Sequence, residues 1–417
     1  MEMVTDVVVI GAGPGGFSAA IFAARQGARV ILCEQLKIIG AKILVSGGTK
    51  CNITNNASMD DFIGGFSSGD TFLRPALNQF FSKELLSFLH DLSLETGSYD
   101  GFHVFPKSNK AKEVVEVLKR ECDRLGVEIV TQQRIDELVI NDGEIAGVIG
   151  PDLNIAATKV VLATGGKSYS KCGGTGGGYP LAKQAGHKLT KLLPAMVAVQ
   201  VEQTWPGECS GVTIENASFF LNHRRYDWNV KRGSIMFTHK GVTGLRLLDI
   251  SGDSADILQQ NKTVPLSMNF CADISAEDWL EKFIDWKKKS PKNRIHKLLQ
   301  KYIPQRLVNI LCTEAGNLIG VKADKISDEQ RDMLITLLTA YQFDITGTEK
   351  FDRAMVTRGG IKLKDIDAET MGSKLTKGLY FAGEVLNIDG PCGGYNIQWG
   401  FSSGRLAGLS ATQTLGL

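Results

Sequence analysis

The sequence predicts an α/β protein: a layered domain built on a buried parallel sheet, interrupted by a β domain that itself carries a small helical domain. Three observations predict it. An apolar run at residues 6–10 leads into a glycine-rich turn and then a helix of small residues. Two later strands end in similar glycine clusters, at Ala163-Thr164-Gly165-Gly166 and at Ala382-Gly383-Glu384. Between them lies a long stretch that alternates apolar and polar residues, as strands do, before it turns to helical caps.

The opening segment reads "DVVVIGAGPGGFSAAIFAARQGARVILCEQ". A short continuous apolar run is what a strand buried on both faces requires. Gly11, Gly13 and Gly16 then form G-x-G-x-x-G, with Pro14 and Gly15 between them. The first glycine permits the turn, the second lets a pyrophosphate reach the backbone, and the third lets helix and strand pack closely. The helix start offers free amides and the positive end of its dipole to phosphates. It runs through Ala19, Ala20, Ala23 and Ala24 to Gly27, and a second strand leads to Glu34 and Gln35, where a carboxylate can accept bonds from ribose hydroxyls. The pattern fits an adenosine diphosphate moiety and leaves FAD and NAD both open.

The next segment bears on that choice. A nicotinamide dehydrogenase would continue through further strand–helix units. Residues 40–55, "GAKILVSGGTKCNITN", instead read as one long turn-forming loop rich in donors. Lys42, Ser46, Gly47, Gly48, Lys50, Cys51, Asn52, Thr54 and Asn55 are its candidate contacts with a pyrophosphate and an isoalloxazine ring. A structureless loop of this length inside a compact domain is uncommon unless functional. An amphipathic helix bearing Val114, Val117, Leu118 and Leu125 follows, ending at Gly126. Then come a strand, Ile135 as a further cofactor-side candidate, and a hairpin turned at Asn141-Asp142-Gly143.

Residues 191–276 read as the inserted β domain and 277–340 as its helical insert. Residues 341–354 read as the return of the β domain, with 1–190 and 355–417 forming the nucleotide-binding domain. Ser275 caps one helix, Pro304 opens another that stops at Gly316, and Ser327 with Gln330 makes a capping box. The stretch "DWKKKSPKNRIHK" is the one basic cluster and reads as a solvated helix end.

The motifs "SGGTKCNITN", "TGGKSYSKCGGTGGGYPLAKQAGH", "FTHKGVTG" and "FAGEVLNIDGPCGGYNIQWGFSSGRLAG" resemble the BaiN-like family of FAD-dependent oxidoreductases, within the two-dinucleotide-binding-domain flavoproteins. The resemblance spans essentially the whole chain. It departs at Thr49 and Lys50, and at Pro391 and Cys392, where the family commonly has other residues. It implies a Rossmann-like FAD-binding domain holding FAD without a covalent bond, with the C-terminal glycine segment against the ring. In that picture Gly393 and Gly394 bring amides to the pyrimidine edge, and a helix starting near Tyr395 points its positive end there. Asn396 and Gln398 satisfy polar ring atoms, and Gly383 and Glu384 join the cofactor side. Tyr395, His239 and Lys50 are the candidate proton donors.

No second dinucleotide fingerprint is present; "GGTGGG" at 173–178 has neither the preceding strand nor the following acid. NAD(P)H is therefore expected as a transient electron donor, and the resemblance implies NAD(P)H-linked reduction of an activated alkene or ketone. The alternative is an oxidase or dehydrogenase of a small amine or amino ketone using oxygen. A third reading is a flavin-containing nucleic-acid-associated protein using Lys287, Lys288 and Lys289. A net charge of +2 argues against a nucleic-acid or membrane partner, and a small-molecule substrate is expected. None of the eight cysteines forms a C-x-x-C pair, so no metal site is expected and a reduced, cytoplasmic setting is. Cys51 and Cys392 converge on the expected flavin site but read as buried thiols rather than a redox pair.

Overall fold

The computed structural model describes residues 2–223, 230–413 and 415. It divides into two compact units, residues 1–193 with 351–417, and residues 194–350.

The first unit is built on a five-stranded sheet ordered Leu379–Phe381, Lys159–Leu162, Val7–Ile10, Val30–Glu34, Glu128–Thr131, with every neighbouring pair parallel. The strand Val7–Ile10 is buried throughout, which accounts for its unbroken apolar composition. The helix Pro14–Arg25 lies behind it. Gly27, with φ of +92°, turns the chain towards the second strand. The helix Ala111–Arg124 packs on the same sheet through Val114, Val117 and Leu118. A second sheet, of order Glu2–Val4, Leu153–Ala156, Glu144–Gly150, Glu137–Asn141, contains the expected hairpin. Asp142 (φ +49°) and Gly143 (φ +80°) take its two central positions.

Residues 40–55 differ from the expected loop. They form a short helix, Ala41–Val45, a 3-10 turn, Ser46–Thr49, and a short strand, Thr54–Asn55. Gly40, Gly47 and Gly48 all have positive φ, so glycine kinks the segment while Ile43 anchors it in the core.

In the second unit six strands close into a barrel: Val199–Val201, Gly241–Thr243, Lys231–Phe237, Thr213–Leu221, Val264–Asn269 and Tyr341–Thr348. Closure removes the free edges that an open sheet would leave. Helices Ala276–Lys289, Gln305–Glu314 and Asp328–Thr339 share one core with the barrel, in which Trp279, Phe283, Leu311 and Leu334 are buried together with Phe219, Phe237 and Phe343. Ser275 with Asp278 and Ser327 with Gln330 form capping boxes at two of these helices. No helix among the described residues is long and apolar enough to cross a membrane.

The C-terminal helix Tyr395–Thr412 lies against the helix Pro14–Arg25 at backbone contact. A Cβ on Gly404 would overlap the carbonyl oxygen of Gly15, and one on Gly408 that of Ala19. Ser18 Oγ donates to Phe401 O at 2.7 Å across the same seam. Gly404→Ala is therefore expected to lower unfolding stability by about 1–3 kcal/mol, as overpacked cores do. Gly27→Ala meets no atom within 4 Å and carries only the strain of its positive φ. Denaturant unfolding of the two variants checks this.

Candidate active site

Gly11, Glu34, the run Ala163 to Gly166 and Gly383 with Glu384 all lie at or just beyond the carboxyl ends of strands in the parallel sheet, the edge at which such sheets take ligands. Gly11 has φ of +100°, and a Cβ there would stand 2.6 Å from Ala163 O. Gly16 is equally constrained, since its Cβ would overlap Gly11 O. Gly13 is different: a Cβ there would meet nothing within 4 Å. The turn is thus closed where strand and helix pack, and open at the glycine expected to face phosphate. No side chain caps the helix Pro14–Arg25, so its first-turn amides are left for an anion. Glu34 is fixed beside the turn, accepting from Ala12 N and Leu36 N, both at 2.9 Å. Gln35 turns aside, its amide nitrogen donating to Gly173 O at 2.7 Å.

Lys42 and Glu384 meet each other. Lys42 Nζ lies 2.5 Å from Glu384 Oε2 and also donates to Ser168 Oγ at 2.9 Å. Glu384 Oε1 accepts from Thr357 N at 2.8 Å and from Ser168 Oγ at 2.9 Å, and Lys167 N donates to Thr357 Oγ1. Four segments far apart in the chain are tied in one knot. Ser168 and Thr357, both fully buried, were not among the sequence candidates.

The loop at 46–55 meets the C-terminal glycine segment. Asn55 Nδ2 donates to Gly393 O at 2.8 Å, and the Asn52 carboxamide oxygen accepts from Gly394 N at 3.2 Å. Gly394 (φ +88°) has the Thr54 backbone where a Cβ would sit, 2.6 Å away. Ser46 Oγ is spent on Ile43 O, Gly47 abuts Asn52 N, and Lys50 is exposed. Burial pushes the Cys51 thiol up to about 12; Cys392 is only half-buried, contrary to the expectation, and neither cysteine is in a disulfide.

Several candidate side chains are engaged by neighbouring residues or stand apart from the others. Gln398 is fully buried; its nitrogen donates to Phe80 O and Ser402 Oγ and so fastens its helix to the neighbouring turn, while its Oε1 has no hydrogen-bond partner among the described residues and stays a candidate cofactor contact. Asn396 clamps the Gly390 peptide from both sides, accepting from its nitrogen and donating to its oxygen. The Tyr395 ring is stacked on Phe62 at 4.6 Å and meets Phe66 edge-on, so its face is spent on packing. Ile135 is buried in the core, and His239 is exposed in the turn between two barrel strands.

Two side-chain pairs were not among the sequence candidates. Arg358 Nε donates to Asp389 Oδ2 at 3.1 Å, and Asp389 also accepts from Ser67 Oγ at 2.6 Å. His103 Nδ1 lies 2.5 Å from Asp100 Oδ2. The signal in each was local: a base beside two glycines in "VTRGG", and an acid three residues before a histidine in "DGFH".

An FAD molecule fits this donor set. Beside the open backbone at Gly13 and the uncapped helix start, Thr54 Oγ1 and Thr164 Oγ1 are buried hydroxyls without a hydrogen-bond partner among the described residues. Both are candidate cofactor contacts, and a buried hydroxyl left unpaired is costly unless a ligand completes it. Among the described residues no cluster of His, Cys, Asp or Glu is arranged to hold a metal ion.

The architecture is that of an oxidoreductase on a Rossmann-type FAD-binding domain. The chain belongs to the HI0933-like family: the family description "HI0933-like protein Rossmann domain" matches residues 5–410. It is 32% identical over 408 residues to the 3-dehydro-bile acid delta(4,6)-reductase of Clostridium scindens, covering 97% of this chain and 98% of that protein. It is 28% identical to the ribosomal RNA dihydrouridine synthase of Haemophilus influenzae, covering 99% and 100%. In fold it is similar to the 3-ketosteroid delta1-dehydrogenase of Sterolibacterium denitrificans, at TM-score 0.51 and 12% identity, covering 98% and 100%.

Because burial holds Cys51 protonated, a thiol-alkylating reagent at pH 8 is expected to leave it unmodified in the folded protein and to label it after unfolding. Peptide mass mapping reads the difference; rapid labelling in the native state would contradict the buried-thiol assignment.

Proposed function

We propose that this protein uses FAD to add hydride and proton across a carbon–carbon double bond conjugated to a carbonyl, with NAD(P)H as the electron source. One observation carries the reading. Two relatives matched over nearly their whole lengths bear names that describe one chemistry. A 3-dehydro-delta(4,6) bile acid carries double bonds conjugated to its 3-oxo group. A dihydrouridine arises by saturating the uracil double bond next to its carbonyl. The acceptors differ widely in size, whereas the reacting unit is the same.

Bound FAD would supply the hydride chemistry. Gly11, Gly13, Gly16 and the helix start would hold its pyrophosphate, and Glu34 its ribose. The loop at 46–55 with the segment at 390–396 would border the ring. The positive end of the helix Tyr395–Thr412 favours the negative charge that two-electron reduction leaves there.

For the substrate, a small enone is the reading taken, in line with the relative of higher identity. A uracil base in ribosomal RNA is the second reading, supported by the second relative and by Lys287, Lys288 and Lys289, exposed in the last turn of their helix. Lys289 is engaged with Asp285 at 2.8 Å, which reduces the charge on offer.

Two measurements test the proposal. Gly13→Ala should leave unfolding stability nearly unchanged while weakening FAD binding by about tenfold or more, the cost of overpacking a methyl against the ligand. Gly16→Ala should lose about 1–3 kcal/mol of stability itself. In anaerobic stopped flow, NADH or NADPH should bleach the flavin and a 3-oxo-4-ene steroid should restore its colour, with the product heavier by two hydrogens. Restoration by unmodified ribosomal RNA alone would select the second reading. Bleaching by a small amine, and none by either nicotinamide, would overturn both.

A further inference from the structure

We propose that His103, oriented by Asp100, donates the proton in this reduction, an assignment that rests on the reading of the protein as an alkene reductase. His103 opens the strand His103–Pro106, and antiparallel pairing sets it opposite Asn55. Asn55 in turn holds the Gly393 carbonyl. The imidazole is therefore one strand away from the C-terminal glycine segment. A Cβ on Gly393 would stand 3.4 Å from His103 Nε2, the nearest atom to it. Gly393 has φ of +119° and carries no side chain, so the ring edge faces bare backbone there.

Asp100 fixes the other nitrogen. Its Oδ2 meets Nδ1 at 2.5 Å, while its Oδ1 accepts from Phe102 N at 2.9 Å and His103 N at 2.8 Å. The carboxylate is thus held by its own turn and the imidazole by the carboxylate, leaving Nε2 as the nitrogen on the glycine side. These bonds, that to His103 foremost, hold the Asp100 carboxyl well below the usual carboxylate range. It stays charged at neutral pH. Phe102 packs edge-on to the ring at 5.0 Å and Phe105 lies at 6.4 Å. The flanking strand residues, Thr54 and Asn55 on one side and Thr96 to Ser98 on the other, carry no charge, so Asp100 is the charged group among them. The His103 side chain is 22% exposed, enough for water to return a proton.

Bound FAD, once reduced, would supply a hydride to the β-carbon of the alkene, whose π pair would move to the α-carbon. That carbon forms a bond to the proton leaving Nε2. Water reprotonates the imidazole, and a nicotinamide dinucleotide supplies the next electron pair. An acid held beside the Gly393 backbone would give a proton to a carbon that water would reach only at random.

The test uses the full chain with FAD bound and a 3-oxo-4-ene steroid as probe. After anaerobic photoreduction, H103Q should reoxidise with the steroid about 10²-fold more slowly than wild type at unchanged FAD affinity, as loss of a general acid predicts. D100N should show a smaller loss. Independently of turnover, nitrogen–proton spectra of the apoprotein, with His103 identified by its absence in H103Q, should show its imidazole resonances shifting when FAD is added. Wild-type rates retained by H103Q, or an imidazole unmoved by FAD, would overturn the assignment. A wild type that reduces no alkene while the imidazole still shifts removes the reductase reading and keeps His103 at the ring.

Discussion

The close approach of two backbones sets the positions of most other groups in the nucleotide-binding unit. The helices Pro14–Arg25 and Tyr395–Thr412 come from opposite ends of the chain and touch through Gly15, Gly400, Gly404 and Gly408. Only residues without side chains allow it. The C-terminal helix is consequently held at a height where its first turn lands on the strand Thr54–Asn55. Gly394 then has to be glycine as well, because the Thr54 backbone occupies the place of its Cβ. One steric requirement runs from the core to the site.

Electrostatics completes what sterics begins. The knot of Lys42, Glu384, Ser168 and Thr357 joins the ends of separate strands through hydrogen-bonded charges that are largely shielded from water. Such pairs add little net stability over a well-packed apolar substitute, but removing one partner strands the other at a cost of about 3–5 kcal/mol. Their value lies in fixing which segments meet. Arg358 and Asp389, 13% and 4% exposed, do the same for the segment before the C-terminal helix. Charge thus orders a loop region in which glycines contribute no packing of their own.

Much of this was legible in the residues. The fingerprint strand and helix, the hairpin at Asp142-Gly143 and the capping boxes at Ser275 and Ser327 all stand where local patterns put them. Each depends on neighbours within a few positions, and short-range sterics and hydrogen bonds decide it. Residues 40–55 were misread because positive-φ glycines and an apolar run compete over so short a span. Gln398 and Asn396 have partners that their places in the sequence do not disclose. Their composition suits a polar ring, but the partners that claim them, Phe80 O and the Gly390 peptide, are set by packing.

By itself the sequence determined the class of fold, the place of the glycine-rich turn after the first buried strand and the need for glycine near the C-terminus, because all of these follow from backbone conformation and the periodicity of apolar side chains. Only the tertiary structure decided which polar side chains are spent on one another and which face the site. Lys42 finds Glu384, and His103 finds both Asp100 and the Gly393 backbone. The physical reason is that a hydrogen bond depends on distance and direction in space, and chain order carries neither across hundreds of residues.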